Sequence, residues 1–450
     1  MTAVVREDRP LNSSVVLTSR ASIDKQRFVQ PPAASRDEMK SGRHVAEIHR
    51  AKRGRKPCCG AGADMKRSHT LWMSVVVTWA TMLAACDTET GAAAQQQARI
   101  MDVSPPFQAA IVAELREPWA MVFLPDGRML VTEKRGSLRL VTPDGAVSNA
   151  IAGVPEVDYG GQGGLGDVAL HPAFAENGFV YLTWAEAGDG DTRGAALGRG
   201  RLDLTAMRID DFEVLWRQTP KVAEQNHYSH RMAFSPDGRH LFVTSGDRWI
   251  PETAQDTTNN LGAVVRLTLD GAAAPGNPLY DRGGAAAEIW SYGHRSPLGL
   301  AFDADGTLWE LEMGPTGGDE FQRIEMGRNY GWPVVSYGDH YRGPDIPGHD
   351  TRPELRAPDT YWNPVISPSS MIIYSGTLFA EWQGSVLITG LTSMSLIRVS
   401  FECPLAFREI CEVERFRVGV RLREIEQGPD GAIWLLEDGD AGRLLRLTPR

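Results

Sequence analysis

Residues 123–133 read FLPDGRMLVTE: an apolar strand end, a turn centred on Asp-Gly, and a second strand of alternating hydrophobic residues. Asp-Gly between such runs is a strong signal for a β-hairpin, because glycine tolerates the positive φ that the turn requires. The pattern returns in five further segments, at 174–184, 234–245, 302–312, 379–390 and 427–438. Hairpins that recur roughly every 50 to 80 residues are typical of a sheet repeated around an axis. The sequence therefore predicts an all-β fold, a six-bladed β-propeller, with an open sandwich as the alternative.

The composition is that of a globular protein, but the charge is unevenly distributed. Of 450 residues, 42% are hydrophobic and 23% charged, and the net charge is -10. The first 69 residues hold 15 Lys and Arg against 7 Asp and Glu, which leaves 32 basic against 50 acidic residues in the remainder. An acidic body argues against nucleic acid as a partner, because phosphate binding requires a basic surface.

Residues 65–86, MKRSHTLWMSVVVTWATMLAAC, have the pattern of an export signal. A basic start, a short apolar core and small residues before Cys86 are typical of a signal peptide. The apolar run is shorter than the about 20 residues that span a membrane. The ending LAAC resembles a bacterial lipobox, in which Cys86 is lipidated and becomes the first mature residue. We expect export to the periplasm with a lipid anchor at Cys86; a buried hydrophobic helix is the alternative.

The remaining boundaries follow from that signal. Residues 1–64 precede it and are either an over-long start, with Met65 as the true first residue, or a disordered basic tail. Cys58 and Cys59 fall there and receive no role. Residues 87–111 are expected to be a linker, and residues 112–450 the propeller.

Two further cysteines lie in FECPLAFREICEV, at Cys403 and Cys411. In an exported protein such a pair can close a short loop as a disulfide, and the spacing suits a hairpin. We therefore expect a Cys403–Cys411 bridge, with two unpaired thiols as the alternative.

One hairpin carries a candidate catalytic pair, in NHYSHRMAFSPDGRHLFVTSGDR at 226–248. His227 precedes one strand and Asp247 follows the next, so antiparallel pairing brings their side chains together. A carboxylate that accepts from one imidazole nitrogen fixes the tautomer and leaves the other nitrogen free to take a proton. The pair can be a general base with its orienting carboxylate, or a histidine that a carboxylate merely satisfies.

A wider set of motifs resembles a known family. In chain order these motifs are EPWAMVFLPDGRMLVTEKRGSLRLV, GQGGLGDVALHPAF, NHYSHRMAF, GHRSPLGLAFDADGTLW, EMGPTGGDEFQRIEMGRNYGWP and RLREIEQGPDGAIWLLED. Over about residues 112–449 the chain resembles the soluble aldose sugar dehydrogenases that depend on pyrroloquinoline quinone (PQQ), also called the glucose/sorbosone dehydrogenase family. The resemblance implies oxidation of aldoses at C1 to lactones, with PQQ and calcium as cofactors and an external electron acceptor.

The resemblance also implies residue roles. The catalytic base falls on His227 and its carboxylate partner on Asp247, while hydride passes from the sugar to the quinone. The positions that contact the cofactor are Gln162, Arg295, Ser296, Arg421 and Arg423. Arginine suits this task because its planar guanidinium pairs with carboxylates through two hydrogen bonds.

The resemblance places calcium at two positions. The carbonyls of Gly314 and Pro315 match those that hold the activating calcium, a hard ion that takes oxygen ligands and acts as a Lewis acid. Glu320, through its carboxylate, and Tyr330, through its carbonyl, match a second calcium site of some relatives.

Three departures from the family pattern raise alternatives. Ser296 replaces an asparagine, His230 replaces a small residue before Arg231, and Thr392 replaces a lysine; loss of one cationic contact weakens anion binding by about tenfold. We expect Arg231 to support its loop and assign no role to His230. A non-catalytic propeller that binds protein or glycan is one alternative function. A calcium-dependent sugar lactonase is another, against which the three arginines argue.

Overall fold

The computed structural model describes residues 104–403 and 409–450. The predicted extension at 1–64, with Cys58 and Cys59, and the predicted signal at 65–86, with Cys86, lie outside the described residues. In the described ranges, no helix is both long and apolar enough to cross a membrane.

Within residues 104–403 and 409–450 the chain forms 25 strands. The first are β1 (Phe107–Leu115), β2 (Pro118–Phe123), β3 (Met129–Glu133) and β4 (Ser137–Val141). The next are β5 (Leu165–Leu170), β6 (Phe179–Ala187), β7 (Arg193–Asp203) and β8 (Arg208–Arg217). They are followed by β9 (Ser229–Phe234), β10 (His240–Ser245), β11 (Ala263–Thr268) and β12 (Ile289–Tyr292).

The second half of the chain continues in the same way. It contains β13 (Pro297–Phe302), β14 (Leu308–Glu312), β15 (Thr316–Gly317), β16 (Asp319–Arg323), β17 (Gly338–Asp339) and β18 (Thr360–Trp362). The last strands are β19 (Pro368–Ile373), β20 (Val386–Gly390), β21 (Ser395–Ser400), β22 (Cys411–Arg417), β23 (Leu422–Gln427), β24 (Ile433–Glu437) and β25 (Gly442–Pro449). Helical segments are short: α1 (Phe174–Asn177) and the 3-10 turns Pro251–Gln255, Tyr280–Arg282, Gly284–Glu288, His349–Thr351 and Ala380–Trp382.

These strands form six blades, so the prediction of an all-β, six-bladed propeller is confirmed. The sheets are β2-β3-β4, β5 to β8, β9 to β12, β13-β14-β16-β18, β19 to β22 and β23-β24-β25-β1, with a small ribbon of β15 and β17. The first strand of each blade contacts the first strands of both neighbouring blades, which closes a ring around the channel. A separate apolar cluster fills each of the six interfaces between blades.

The last blade joins the two ends of the propeller. Strand β1 pairs antiparallel with β25, Phe107 opposite Pro449 and Leu115 opposite Gly442. The propeller therefore begins at Phe107, and the predicted linker boundary at residue 112 is wrong. The error arose because β1 has no hairpin turn of its own and is defined only by pairing with the distant end of the chain.

All six predicted turns connect the innermost strand of a blade to its second strand. Gly127 and Gly238, at φ 86° and 66°, occupy left-handed positions in two of them, as the Asp-Gly signal requires. The segments at 174–184 and 379–390 instead form longer connections that contain α1 and a 3-10 turn. Because these turns share one end of the channel, residues before each innermost strand and after each second strand meet at the other end.

Arg231 of β9 lies at the centre of the channel and is only 5% exposed. Its side chain contacts one residue from each of the other five innermost strands: Trp119, Asp167, Leu298, Ser369 and Glu424. The ion pair to Glu424 measures 2.5 Å, and the N–H groups donate to the carbonyls of Leu298 at 3.0 Å and Ser369 at 2.8 Å. We expected Arg231 to support its loop; the structure shows that its side chain instead joins all six blades.

The expected disulfide is present between Cys403 and Cys411, with Cα atoms 5.3 Å apart. It ties Cys403, three residues after the end of β21, to the first residue of β22.

Candidate active site

Two cavities lie at the end of the channel away from the hairpin turns. The larger, the mouth cavity, has a volume of about 420 Å³. Its walls include Lys134, Gln162, His230, Thr392, Arg421, Arg423 and Asp438. The smaller, the histidine pocket, has a volume of about 70 Å³. Its walls include His227, Asp247, Trp249, Arg295, Pro315, Trp332, His340 and Tyr341.

His227 and Asp247 make the predicted contact, with Nδ1 of His227 2.6 Å from Oδ1 of Asp247. Asp247 Oδ2 accepts a hydrogen bond from Trp332 Nε1 at 2.8 Å, and Oδ1 also accepts from the Trp249 N–H at 2.9 Å. A carboxylate held in this way accepts a hydrogen bond from Nδ1–H of His227, so Nε2 of the imidazole carries the free lone pair.

The electrostatics of His227 favour its neutral form. Burial lowers its pKa below the usual 6.5, and the positive charge of Arg295 acts in the same direction, while the hydrogen bond to Asp247 opposes both. A neutral imidazole can accept a proton at neutral pH, which is the state that a general base requires.

The backbone around His227 is held in an unusual conformation. His227, Ser229 and His230 have φ values of 49°, 64° and 56°, in the left-handed region that L-residues with side chains rarely occupy. The His227 N–H donates to Oε1 of Gln162 at 2.8 Å, so the predicted cofactor glutamine also holds the histidine loop. Gly246 is required beside it, because a Cβ there would lie 2.1 Å from the His227 carbonyl oxygen. Such strain is characteristic of functional sites.

Arg295 lies in the histidine pocket and is 5% exposed. Its side-chain Nη1 donates to the carbonyls of Met313 at 2.9 Å and Gly314 at 2.7 Å. Its backbone N–H donates to Glu312 Oε2 at 2.6 Å. The Arg295 carbonyl accepts from the Asp247 N–H at 2.9 Å, which ties this arginine to the His227–Asp247 pair. Ser296 is buried; its backbone N–H donates to Glu312 Oε2 at 3.2 Å, and its carbonyl accepts from the Met313 N–H at 3.1 Å.

Arg421 and Arg423 lie on the mouth cavity and share one carboxylate. Nε of Arg421 is 2.7 Å from Asp438, and Nε and Nη2 of Arg423 are 2.9 and 2.6 Å from it. Burial would raise the pKa of Asp438, but Arg423 and Arg421 keep it below its usual value. The three predicted arginines are thus divided between two adjoining cavities: two on the mouth cavity, and Arg295 beside His227.

Sequence reasoning missed Lys134 and Asp438. Lys134 donates to the Gly161 carbonyl at 2.7 Å on the wall of the mouth cavity. Both residues directly follow the second strand of a blade, β3 and β24, as Asp247 does within two residues of β10. That shared position in the repeat is a signal that could have identified them.

Thr392 and His230, two residues that depart from the family pattern, line the mouth cavity and make different contacts. Thr392 pairs its hydroxyl with that of Ser367 at 2.7 Å. His230 is buried, stacks on the Trp119 ring at 5.2 Å, and has Nδ1 2.8 Å from the Thr183 hydroxyl. Burial lowers its pKa to about 3, so this imidazole is neutral. Gly166 makes room for it, because a Cβ there would lie 1.9 Å from Cε1 of His230.

The predicted calcium ligands surround a third, very small cavity, lined by Glu312, Gly314, Pro315, Glu320 and Tyr330 among others. Glu312 and Glu320 are both buried there, and a set of carboxylate and carbonyl oxygens is what calcium prefers. The donor set therefore fits the ion. At Gly314 an ion would share the carbonyl with Nη1 of Arg295.

Fold and site together define the class of the protein: a six-bladed propeller with a histidine–aspartate pair beside an arginine-rich cavity at one end of its channel. Residues 115–446 match the sequence profile of the family described as glucose / sorbosone dehydrogenase, and the chain belongs to that family.

Individual relatives agree with this assignment. The aldose sugar dehydrogenase YliI of Escherichia coli is 38% identical over 345 residues, which cover 75% of this chain and 91% of that protein. The apo crystal structure of the soluble aldose sugar dehydrogenase from Escherichia coli superposes with a TM-score of 0.72 at 36% identity, over 76% of this chain and all of that one. A PQQ-bound aldose sugar dehydrogenase from Streptomyces coelicolor gives 0.61 at 26% identity, over 77% and 100%. The family and these relatives indicate an oxidoreductase that acts on sugars.

Proposed function

We propose that the protein oxidises aldose sugars at C1 to lactones, with PQQ as cofactor and an external electron acceptor. The observation that carries the proposal is the 2.6 Å contact between His227 Nδ1 and Asp247, made in a pocket that adjoins an arginine-lined cavity. The similarity to a PQQ-bound dehydrogenase supports the choice of cofactor.

In this proposal His227 Nε2 takes the proton of the anomeric hydroxyl. Asp247 keeps Nδ1 protonated and stabilises the imidazolium that forms, and Trp332 and the Trp249 N–H fix the orientation of that carboxylate. Because His227 and Asp247 are 6% and 1% exposed, few water molecules compete with the sugar for the base.

The mouth cavity suits a planar tricarboxylate. Its volume of about 420 Å³ lies within the range of cofactor pockets. Lys134, Arg421 and Arg423 bring three positive charges, against the carboxylates of Asp438 and Glu117, and Glu117 also pairs with Arg135. The guanidinium N–H groups that do not contact Asp438 remain for carboxylates of the cofactor. PQQ, when bound, supplies the acceptor for the hydride from C1.

Gly314 and Pro315 would hold a calcium ion through their carbonyls, and Glu320 and Tyr330 a second one. Both pairs of residues line the same very small cavity, whose buried oxygen ligands support calcium at this place in the fold. A calcium-dependent lactonase has no use for arginines at the reaction centre, so Arg295, Arg421 and Arg423 weigh against that alternative.

We also propose export and lipid anchoring at Cys86, on the basis of the LAAC sequence. The Cys403–Cys411 disulfide supports export, because such bonds persist in oxidising compartments and are rare in the cytosol.

The test is dye reduction by the purified protein with calcium, PQQ and a panel of aldoses. We expect turnover to require PQQ and to fall by at least about a hundredfold in His227→Ala, the usual effect of losing a general base. His240→Ala is the matched control, because His240 begins β10 at the opposite end of the strand from the site. Equal rates in His227→Ala and wild type would exclude the role of His227. Absence of a visible quinone spectrum at high PQQ would favour the non-catalytic binding protein.

A further inference from the structure

Two exposed aromatic residues stand beside the buried catalytic pair. Trp249 is 46% exposed and Tyr341 61% exposed, whereas His227 is only 6% exposed. The Trp249 ring stacks on the His227 imidazole at 5.1 Å between centroids and 20° between planes. The Tyr341 ring lies 6.2 Å from the Trp249 ring at 26°. We call Trp249 and Tyr341 the aromatic ledge; it runs outward from the histidine pocket to solvent.

The backbone turn that carries Trp249 is held by hydrogen bonds, although the Trp249 ring is exposed to solvent. Arg248 and Trp249 have φ values of 57° and 61°, an outlying conformation for bulky residues. The Trp249 N–H is fixed by Asp247 at 2.9 Å. The buried Arg248 side chain anchors the same turn by donating to the carbonyls of Asn226 at 2.8 Å and Arg193 at 3.0 Å. A strained backbone that displays a large apolar ring to water is characteristic of a binding surface.

The second residue of the ledge is tied to the reaction centre as well. Nη2 of Arg295 donates to the Tyr341 hydroxyl at 3.4 Å, and its guanidinium lies 5.8 Å from the centre of that ring. The ledge is therefore continuous with the pocket in which the reacting sugar ring would bind. It begins where the exposed fraction of the side chains rises from a few per cent to about half.

We propose that the aromatic ledge binds the sugar ring next to the one whose C1 is oxidised. Aromatic faces carry partial negative charge and attract the C–H groups that cover one side of a pyranose ring. The substrate class would then be disaccharides and longer oligosaccharides with a free reducing end, bound in preference to monosaccharides. This inference rests on the proposed function, since it places the reducing-end ring at His227.

The first experiment compares kcat/KM for maltose and for glucose. We expect wild type to prefer maltose, and Tyr341→Ala to lower the maltose-to-glucose ratio by about three- to tenfold, the contribution of one aromatic contact. Tyr341→Phe keeps the ring and should keep the ratio. Trp249→Ala should lower both rates, because Trp249 stacks on His227, and should lower the ratio too. Tyr280→Ala is the matched control, a tyrosine 40% exposed that does not line the pocket.

The second experiment separates the ledge from the chemistry. Methyl β-maltoside has no free anomeric hydroxyl and cannot be oxidised, so its dissociation constant, measured by saturation-transfer NMR, reports binding alone. We expect Tyr341→Ala to raise that constant by about three- to tenfold. Binding that depends on Tyr341 without any sugar oxidation would support the ledge and overturn the proposed function.

Other outcomes would overturn the ledge and spare the proposed function. One is a maltose-to-glucose ratio that is the same in wild type, Tyr341→Ala and Trp249→Ala. Another is a change in Tyr341→Ala confined to the KM for the electron-accepting dye, which would assign these rings to the acceptor instead.

Discussion

The centre of the channel and its mouth differ in the charges that surround their guanidinium groups, those of Arg231 at the centre and of Arg421 and Arg423 at the mouth. The guanidinium of Arg231 is buried between two carboxylates, those of Asp167 and Glu424. At the mouth two guanidiniums share the single carboxylate of Asp438. Negative charge is in excess at the centre, where burial raises the pKa of Glu424 to about 7. Positive charge is in excess at the mouth. A guanidinium surrounded by carboxylates joins blades, whereas an excess of guanidiniums remains available for an anionic ligand.

The largest effect, on the free energy of unfolding, should come from removing the guanidinium of Arg231 at the centre of the channel. Arg231→Met leaves Asp167 and Glu424 without their partner, and loss of one member of a buried ion pair destabilises by about 3–5 kcal/mol. We expect a lower midpoint of denaturant unfolding and a lower Tm. Arg421→Met, at a side chain 44% exposed, should change the free energy of unfolding by less than about 0.5 kcal/mol. Similar losses in both variants would contradict the distinction between centre and mouth.

His230, next to Arg231 in the chain, should make the stability of the protein depend on pH. Its pKa is about 3 in the folded protein and near 6.5 when unfolded, so the unfolded chain binds more protons between these values. Stability should therefore fall as pH drops below 6.5, by about 1.4 kcal/mol per pH unit from this group alone. The free energy of unfolding of wild type and of His230→Asn should be measured between pH 6.5 and 5. Its slope against pH should differ between the two proteins by that amount. Parallel pH dependence would show that His230 is not held neutral.

At the mouth, Arg423→Gln should weaken PQQ binding by about tenfold or more while leaving the Tm nearly unchanged, because a hydrogen bond to a charged group contributes about 1.5–3 kcal/mol. Arg421→Gln should have a smaller effect, since its side chain is 44% exposed against 16% for Arg423. The measurement is a spectroscopic PQQ titration. Arg446→Gln is the control, because Arg446 pairs with Asp430 of a hairpin turn, at the other end of the channel. An equal loss of affinity in that control would contradict the role of the mouth.

The smallest effect should come from adding a charge to the mouth. Thr392 lies on the mouth cavity, and Thr392→Lys would place a fourth cation there. We expect PQQ affinity to rise by about fivefold, with a stronger dependence on salt, because exposed charges are screened. Thr392→Met, of similar length without charge, is the control. A gain in both variants would mean that packing, and not charge, limits binding.

Local chemistry explains what the sequence could predict. Four of the six turns follow from Asp-Gly, each readable within a dozen residues, whereas the segments at 174–184 and 379–390 form longer connections. The contact between His227 and Asp247 follows from their positions on either side of one hairpin. In both cases the informative residues are close together in the chain.

What could not be predicted depends on distant partners. Strand β1 is recognisable only through its pairing with β25, more than 300 residues later. Arg231 meets five other strands whose convergence no local pattern encodes. Trp249 owes its exposed position to a left-handed backbone that its sequence neighbours give no reason to expect, since neither Arg248 nor Ile250 is a turn residue.

The pairing of β1 with β25 also sets a direction. Phe107 lies opposite Pro449, the end of β25 that is remote from Asp438 and the mouth cavity. The chain therefore enters the propeller on the side of the hairpin turns. The anchor proposed at Cys86 would therefore be joined to the propeller at the end of the channel opposite the mouth cavity. Sugars and an external electron acceptor would then reach the mouth cavity from the end of the channel opposite that attachment.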